Sequence, residues 1–316
     1  MSITLGSTFA DGHIPLHAET VIWQVESRIP FYLAHPSLRE AIKFTSHSLQ
    51  GMYRGNRLLN RIMNDRGRIV FGLLCLYLSA TPDGNGVGLT VTRIVDLCET
   101  TGVCSRGRAK AMLTLMQWAG YLAAAPTGAN RRQRPLVPTE RFLHEQVRRW
   151  RSTLGGLALM EPHAQRILAH LDDRTVFMTL MRHLGDRYRA GFRPIHFAPQ
   201  LRPLIERDAG ALLAFTLINA GDADDTYPPS RALGIPVAVL AREFHVSRAH
   251  VLKLLREAEL NGLIFRSPGH QGSLLLLPPM RDGMLHFFAA VFALQADAVH
   301  ATLAELDLLR DERPSL

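Results

Sequence analysis

Two short stretches place cations where they could do chemistry together: Ser105-Arg106-Gly107-Arg108-Ala109-Lys110 and Ser247-Arg248-Ala249-His250-Val251-Leu252-Lys253. A serine in front of such a run can cap a helix, because its hydroxyl accepts an otherwise unpaired amide of the first turn. A cation in that turn opposes the helix dipole by roughly 0.3–1 kcal/mol. Its presence therefore predicts compensation from outside the helix. Phosphate oxygens and guanine edges in a DNA major groove supply it. On this reading Ser105, Arg106, Arg108 and Lys110 form one contact set, and Ser247, Arg248, His250 and Lys253 the other. The chemistry is recognition of a polyanion.

Bond-breaking chemistry has little to stand on. The chain holds no Gly-x-Ser-x-Gly, no phosphate-binding glycine loop and no His-Glu-x-x-His, and no carboxylate pair is placed for hydrolysis. No enzymatic activity, cofactor or metal is expected. His13 and His17 have ligand-like spacing, but Pro15 lies between them and no third ligand is near, so they are read as surface histidines.

The elements that must position the cations follow from period. Val251, Leu254, Leu255 and Ala258 recur as one apolar face of a helix, and Asn261-Gly262 closes it, since glycine enters the left-handed conformation cheaply. Upstream, Val237, Leu240 and Ala241 form a shorter face, with a turn over Glu243 to Val246. Downstream, Leu263 to Arg266 and Ser273 to Leu277 read as strands joined by "SPGHQG", a hairpin tip in which His270 is taken as solvated. Helix, turn, helix, hairpin is the order of a winged helix-turn-helix.

A second copy lies 142 residues earlier. Ser105-Arg106 falls on Ser247-Arg248, Gly120 on Gly262, and Ala109, Met112, Leu113 and Met116 on the apolar face. "YLAAA" and "PLVPTE" are the matching strands, and "PTGANRRQR" between them is a more basic wing. Its Arg131, Arg132 and Arg134 suit a narrow minor groove. The same shift pairs apolar helices at 62–80 and 204–221, and helices starting near Thr139 and Arg281. A shared offset over four elements indicates internal duplication. Glu99 falls on the small Ala241, where the two helices pack, so the register is expected to slip there.

Each half resembles the MarR group of bacterial transcription regulators, over about 62–152 and 204–310, including the helix "TERFLHEQVRRW" after the wing. The resemblance implies a winged helix-turn-helix on double-stranded DNA. Members carry one such domain per chain and dimerise through terminal helices; two fused copies depart from that.

Composition agrees with a polyanion partner. Residues 1–158 carry 19 Lys/Arg against 10 Asp/Glu, and residues 159–316 carry 17 against 18, so the formal +8 resides in the first half. Such a field favours nucleic acid through counterion release. Cys75, Cys98 and Cys104 form no Cys-x-x-Cys pair and are expected as core fillers in a reducing cytoplasm. No leader pattern opens the chain, and "IVFGLLCLYLSA" and "MLHFFAAVFALQADAV" fall short of the ~20 apolar residues of a membrane span. A cytoplasmic, nucleoid-associated protein without a membrane partner is expected.

The expected architecture is mainly α, with two winged helix-turn-helix domains, small β-hairpin wings and extra packing helices. Its parts are a loosely patterned arm (1–35), a first domain (36–158) and a second domain (159–316), with helices near 36–50 and 162–190 docking the halves. The helix beginning near Gly283 carries Met284, Leu285, Phe287, Phe288, Val291, Phe292 and Leu294 on nearly every side. It is expected to pack between the halves or against a second copy of the chain. The function expected is sequence-specific transcription regulation. The rivals are a plasmid-type replication initiator with tandem winged helices and a winged-helix protein that binds only other proteins.

Overall fold

The computed structural model describes residues 16–53, 66–125, 134–267 and 273–308. His13, Arg131, Arg132 and His270 lie outside them. The fold is mainly helical. Helices α1 (Leu16–Glu26), α2 (Ile29–Ala34) and α3 (Leu38–Tyr53) come first, followed by α4 (Arg66–Ala80), α5 (Val91–Thr100) and α6 (Arg106–Trp118). Strands β1 (Leu122–Ala124) and β2 (Leu136–Pro138) pair antiparallel before α7 (Glu140–Leu157), α8 (Pro162–Ala169) and α9 (Arg174–Arg189). Two 3-10 turns and α10 (Arg202–Ile205) then lead to α11 (Gly210–Ile218), α12 (Val237–Phe244) and α13 (Arg248–Leu260). Strands β3 (Ile264–Arg266) and β4 (Leu274–Leu276) form a second antiparallel pair, and α14 (Pro278–Glu305) ends the described chain.

The described part of the expected arm, from residue 16 on, forms two helices. His17 falls in α1, and Val25, Ile29 and Tyr32 are buried where α1 and α2 pack on α14. Their apolar residues are few and widely spaced, which left the pattern weak in one dimension.

The order helix, turn, helix, hairpin occurs twice. Each hairpin gains a third, bridging residue: the Leu136 amide donates to the Leu89 carbonyl at 2.8 Å, and the Leu233 amide to the Leu274 carbonyl at 2.7 Å. The offset between copies is not constant. The left-handed residues Gly102 and His245 lie 143 apart, one more than Ser105 and Ser247, so the register slips at the turn. The second hairpin is shorter, and α7 and α14 begin 138 residues apart. Thr139 therefore matches Leu277 rather than Arg281. The second copy also breaks its first apolar helix: α10 and α11 are separated around Ala209, whose φ of 57° is left-handed.

The halves exchange helices. α3 packs along α7 of its own half and reaches α11 of the other, while α9 packs along α14 of its own half and α4 of the other. Close approach makes both crossings possible. A Cβ on Gly156 of α7 would stand 2.0 Å from Thr45 Oγ1 and 2.7 Å from the Ala41 carbonyl oxygen, and one on Gly185 of α9 would stand 2.2 Å from the Tyr77 ring. A polar seam closes the α3–α11 crossing: Gln50 Nε2 donates to Thr216 Oγ1 at 2.6 Å, and Asn219 Nδ2 donates to Gln50 Oε1 at 2.9 Å.

Helix α14 is the hub. It touches α1, α2, α3, α7, α8, α9 and the 3-10 turns, and its apolar residues find their partners within the chain. At 28 residues it is long and apolar enough to cross a membrane, which corrects the expectation that this stretch is too short. Its burial among these neighbours accounts for that apolarity. Across the α9–α14 contact, Arg187 Nε donates to Asp297 Oδ2 at 2.7 Å, with both side chains buried. Cys75 and Cys98 are buried and Cys104 half-buried; burial pushes the Cys75 and Cys98 thiols up. In the slipped register Cys98 matches Ala241: the Val103 amide donates to the Cys98 carbonyl as the Val246 amide does to that of Ala241.

Candidate nucleic-acid interface

Both cationic helix starts are built alike. Ser105 Oγ accepts the Arg108 amide at 3.4 Å, and Ser247 Oγ accepts the His250 amide at 3.1 Å. The serine hydroxyls are thus committed to capping. Gly120 (φ 71°) and Gly262 (φ 66°) end the two helices, each left-handed as the C-terminal turn requires. Ala109, Met112, Leu113 and Met116, and their counterparts Val251, Leu254, Leu255 and Ala258, are buried and hold the opposite faces outward.

The cations differ between copies. Arg106 Nη1 donates to Glu99 Oε2 at 2.7 Å and to Asp96 Oδ1 at 3.1 Å. Compensation for the first cation thus comes from outside its own helix, from two carboxylates of α5. Arg248 is exposed and, among the described residues, has no hydrogen-bond or ion-pair partner. The second copy holds no acid at the matching positions, since Asp96 and Glu99 correspond to Val239 and Arg242. His250 is half-buried, and its Nε2 donates to the Asp208 carbonyl at 2.9 Å, so the ring turns toward the α10–α11 connection.

Arg108, Lys110 and Lys253 are exposed. On α6 they share the outer face with Gly107, Ala111 and Thr114, small residues that let a helix backbone approach a groove closely. On α13 the outer face holds Ala249, Leu252, Lys253 and Arg256. Arg256 was missed from sequence, although its spacing of eight from Arg248 and three from Lys253 puts it on the same face. Arg134, at the base of the first hairpin, is exposed and lines a groove with Asp83, Val87, Thr90 and Val91 at the start of α5. The first hairpin and its helix pair thus share one surface.

Among the described residues one cluster has the chemistry to hold a metal: Glu161 and His163 at the start of α8 and His300 on α14, neither helix carrying a cationic start. Comparison with protein-family models, curated proteins and solved structures finds no match to this chain.

Proposed function

We propose that the chain is a tandem winged helix-turn-helix protein that binds double-stranded DNA sequence-specifically as a transcription regulator. The observation that carries the proposal is the repeated unit: a serine-capped helix with an outward cationic face, preceded by a tight turn and followed by a bridged hairpin. A helix of this kind enters the major groove by its N-terminal turns while the hairpin contacts the flanking backbone. The MarR resemblance supports the same reading. Reciprocal packing of α3 and α9 lets one chain present the two reading heads that such regulators obtain by dimerisation.

The test is selection of duplex sequences by the full chain from a random library, followed by binding measured over a range of salt. Enrichment of a two-part motif with steep salt dependence is expected. No enriched sequence, or binding indifferent to salt, rejects the proposal. A replication initiator is the second reading, favoured by the unlike chemistry of the two heads, which suits a direct asymmetric site. Occupancy at one cluster of repeated sites, rather than at promoters, would assign it.

A further inference from the structure

Where α8 meets α14, three side chains of metal-ligand type converge. Glu161 precedes α8 and caps it, His163 follows two residues later, and His300 comes from α14. His163 Nδ1 lies 2.9 Å from Glu161 Oε1, and His300 Nε2 lies 3.4 Å from the same oxygen. All three donor atoms fall within 4.8 Å of one another, and the two rings meet edge to face with centroids 4.6 Å apart. Donors placed tetrahedrally at zinc bond lengths of ~2.0–2.2 Å stand about 3.3 Å apart. The cluster needs only small side-chain adjustments to reach that.

We propose that Glu161, His163 and His300 form a site for a divalent transition-metal ion of the zinc class, which clamps α8 to α14. Two imidazoles and one carboxylate select such an ion over calcium or magnesium, which prefer oxygen alone. His300 Nε2 is buried and, although 3.4 Å from Glu161 Oε1, makes no hydrogen bond of good geometry, which leaves it open to an ion. The Tyr32 hydroxyl donates to Glu161 Oε2 at 3.3 Å, orienting the carboxylate and leaving Oε1 for the ion. His163 and His300 keep 38% and 33% of their side-chain surface exposed, which supplies an entry path and room for a water as fourth ligand.

Arg28 works against the ion. Its Nη2 lies 3.4 Å from His300 Nδ1. A guanidinium only donates, so this contact puts the ring proton on Nε2. Binding moves that proton to Nδ1 and turns Arg28 fully to Asp297, already 3.6 Å from its Nε.

The test uses the tag-free full chain, stripped by a chelator and titrated with Zn²⁺ and Co²⁺. One Zn²⁺ per chain, a rise in Tm reversed by chelator, and Co²⁺ absorption of four-coordinate type are expected. His163→Ala and His300→Ala should each weaken Zn²⁺ binding at least ~100-fold, and Arg28→Ala should tighten it. A second measurement needs no variant: bound zinc should protect His163 and His300 from diethylpyrocarbonate, mapped by mass spectrometry. A chain that binds no zinc, zinc affinity that survives both histidine substitutions, or equal modification with and without zinc overturns the proposal.

Discussion

Arg106 stands 2.7 Å from the Glu99 carboxylate, so the first cationic helix carries its own counter-charge. Asp96 adds a second carboxylate at 3.1 Å. The matching positions of the second half hold Val239 and Arg242 and leave Arg248 open. Glu99→Gln with Asp96→Asn is expected to raise DNA affinity severalfold, by freeing Arg106 and removing repulsion of phosphate. Arg248→Ala should cost about 1–3 kcal/mol of discrimination between specific and scrambled duplex, and Arg106→Ala less. Fluorescence anisotropy at fixed salt reads both, and equal losses for the two arginines would show that the acids do not mask Arg106.

The first hairpin is tested through salt. Changing Arg131, Arg132 and Arg134 together to alanine should weaken binding to all sequences. The slope of log K against log salt should flatten by ~0.9 for each phosphate that these side chains neutralise in the native protein. An unaltered slope means that these arginines touch no phosphate.

Arg187 and Asp297 form the buried ion pair between α9 and α14. Asp297→Ala should destabilise the chain by about 3–5 kcal/mol, because it strands a buried guanidinium. Replacing both with apolar residues, Arg187→Met with Asp297→Leu, should recover much of that loss in denaturant unfolding. If the double variant is no better than the single one, the stranded charge is not the cause.

Gly185 and Tyr77 carry the α9–α4 crossing. A Cβ at Gly185 would meet the Tyr77 ring at 2.2 Å and its Cβ at 2.8 Å, so the ring must leave its place. Gly185→Ala is expected to cost ~1–3 kcal/mol, with Tyr77→Ala partly relieving it. Thermal unfolding of the four-member cycle measures the coupling.

Acid should loosen the same region. Burial, then Arg182 and Arg187, lower the His183 pKa below its ordinary 6.5, with Glu305 opposing. Between the folded and unfolded values the unfolded chain binds the extra proton, so stability rises with pH there. The contribution is complete above about pH 6.5 and declines as pH falls toward the folded value. Glu305, held low by Arg182 and also by His183, loses its contribution only further down, in the carboxylate range. His183→Gln should flatten the dependence of Tm on pH between about 7 and 5, a window set by the unfolded value of ~6.5.

What the sequence determined is local. Serine caps, closing glycines, helix faces at 3.6-residue period and strand ends lie within a few residues of one another, where backbone sterics and hydrogen bonding act directly. For this reason the pattern around Val237 to Leu277, and its copy around Ser105, could be placed from residue types, and the slip at Glu99 anticipated. Tertiary structure decided the rest. Whether Arg106 is free depends on side chains one helix away, and the second copy holds Val239 and Arg242 where the first holds two acids. Arg187 meets Asp297 across 110 positions, and Gln50 meets Thr216 across 166. Glu161, His163 and His300 share no sequence spacing that marks a site. Such meetings arise when apolar faces pack and carry polar groups with them, and no linear period records which residues then become neighbours.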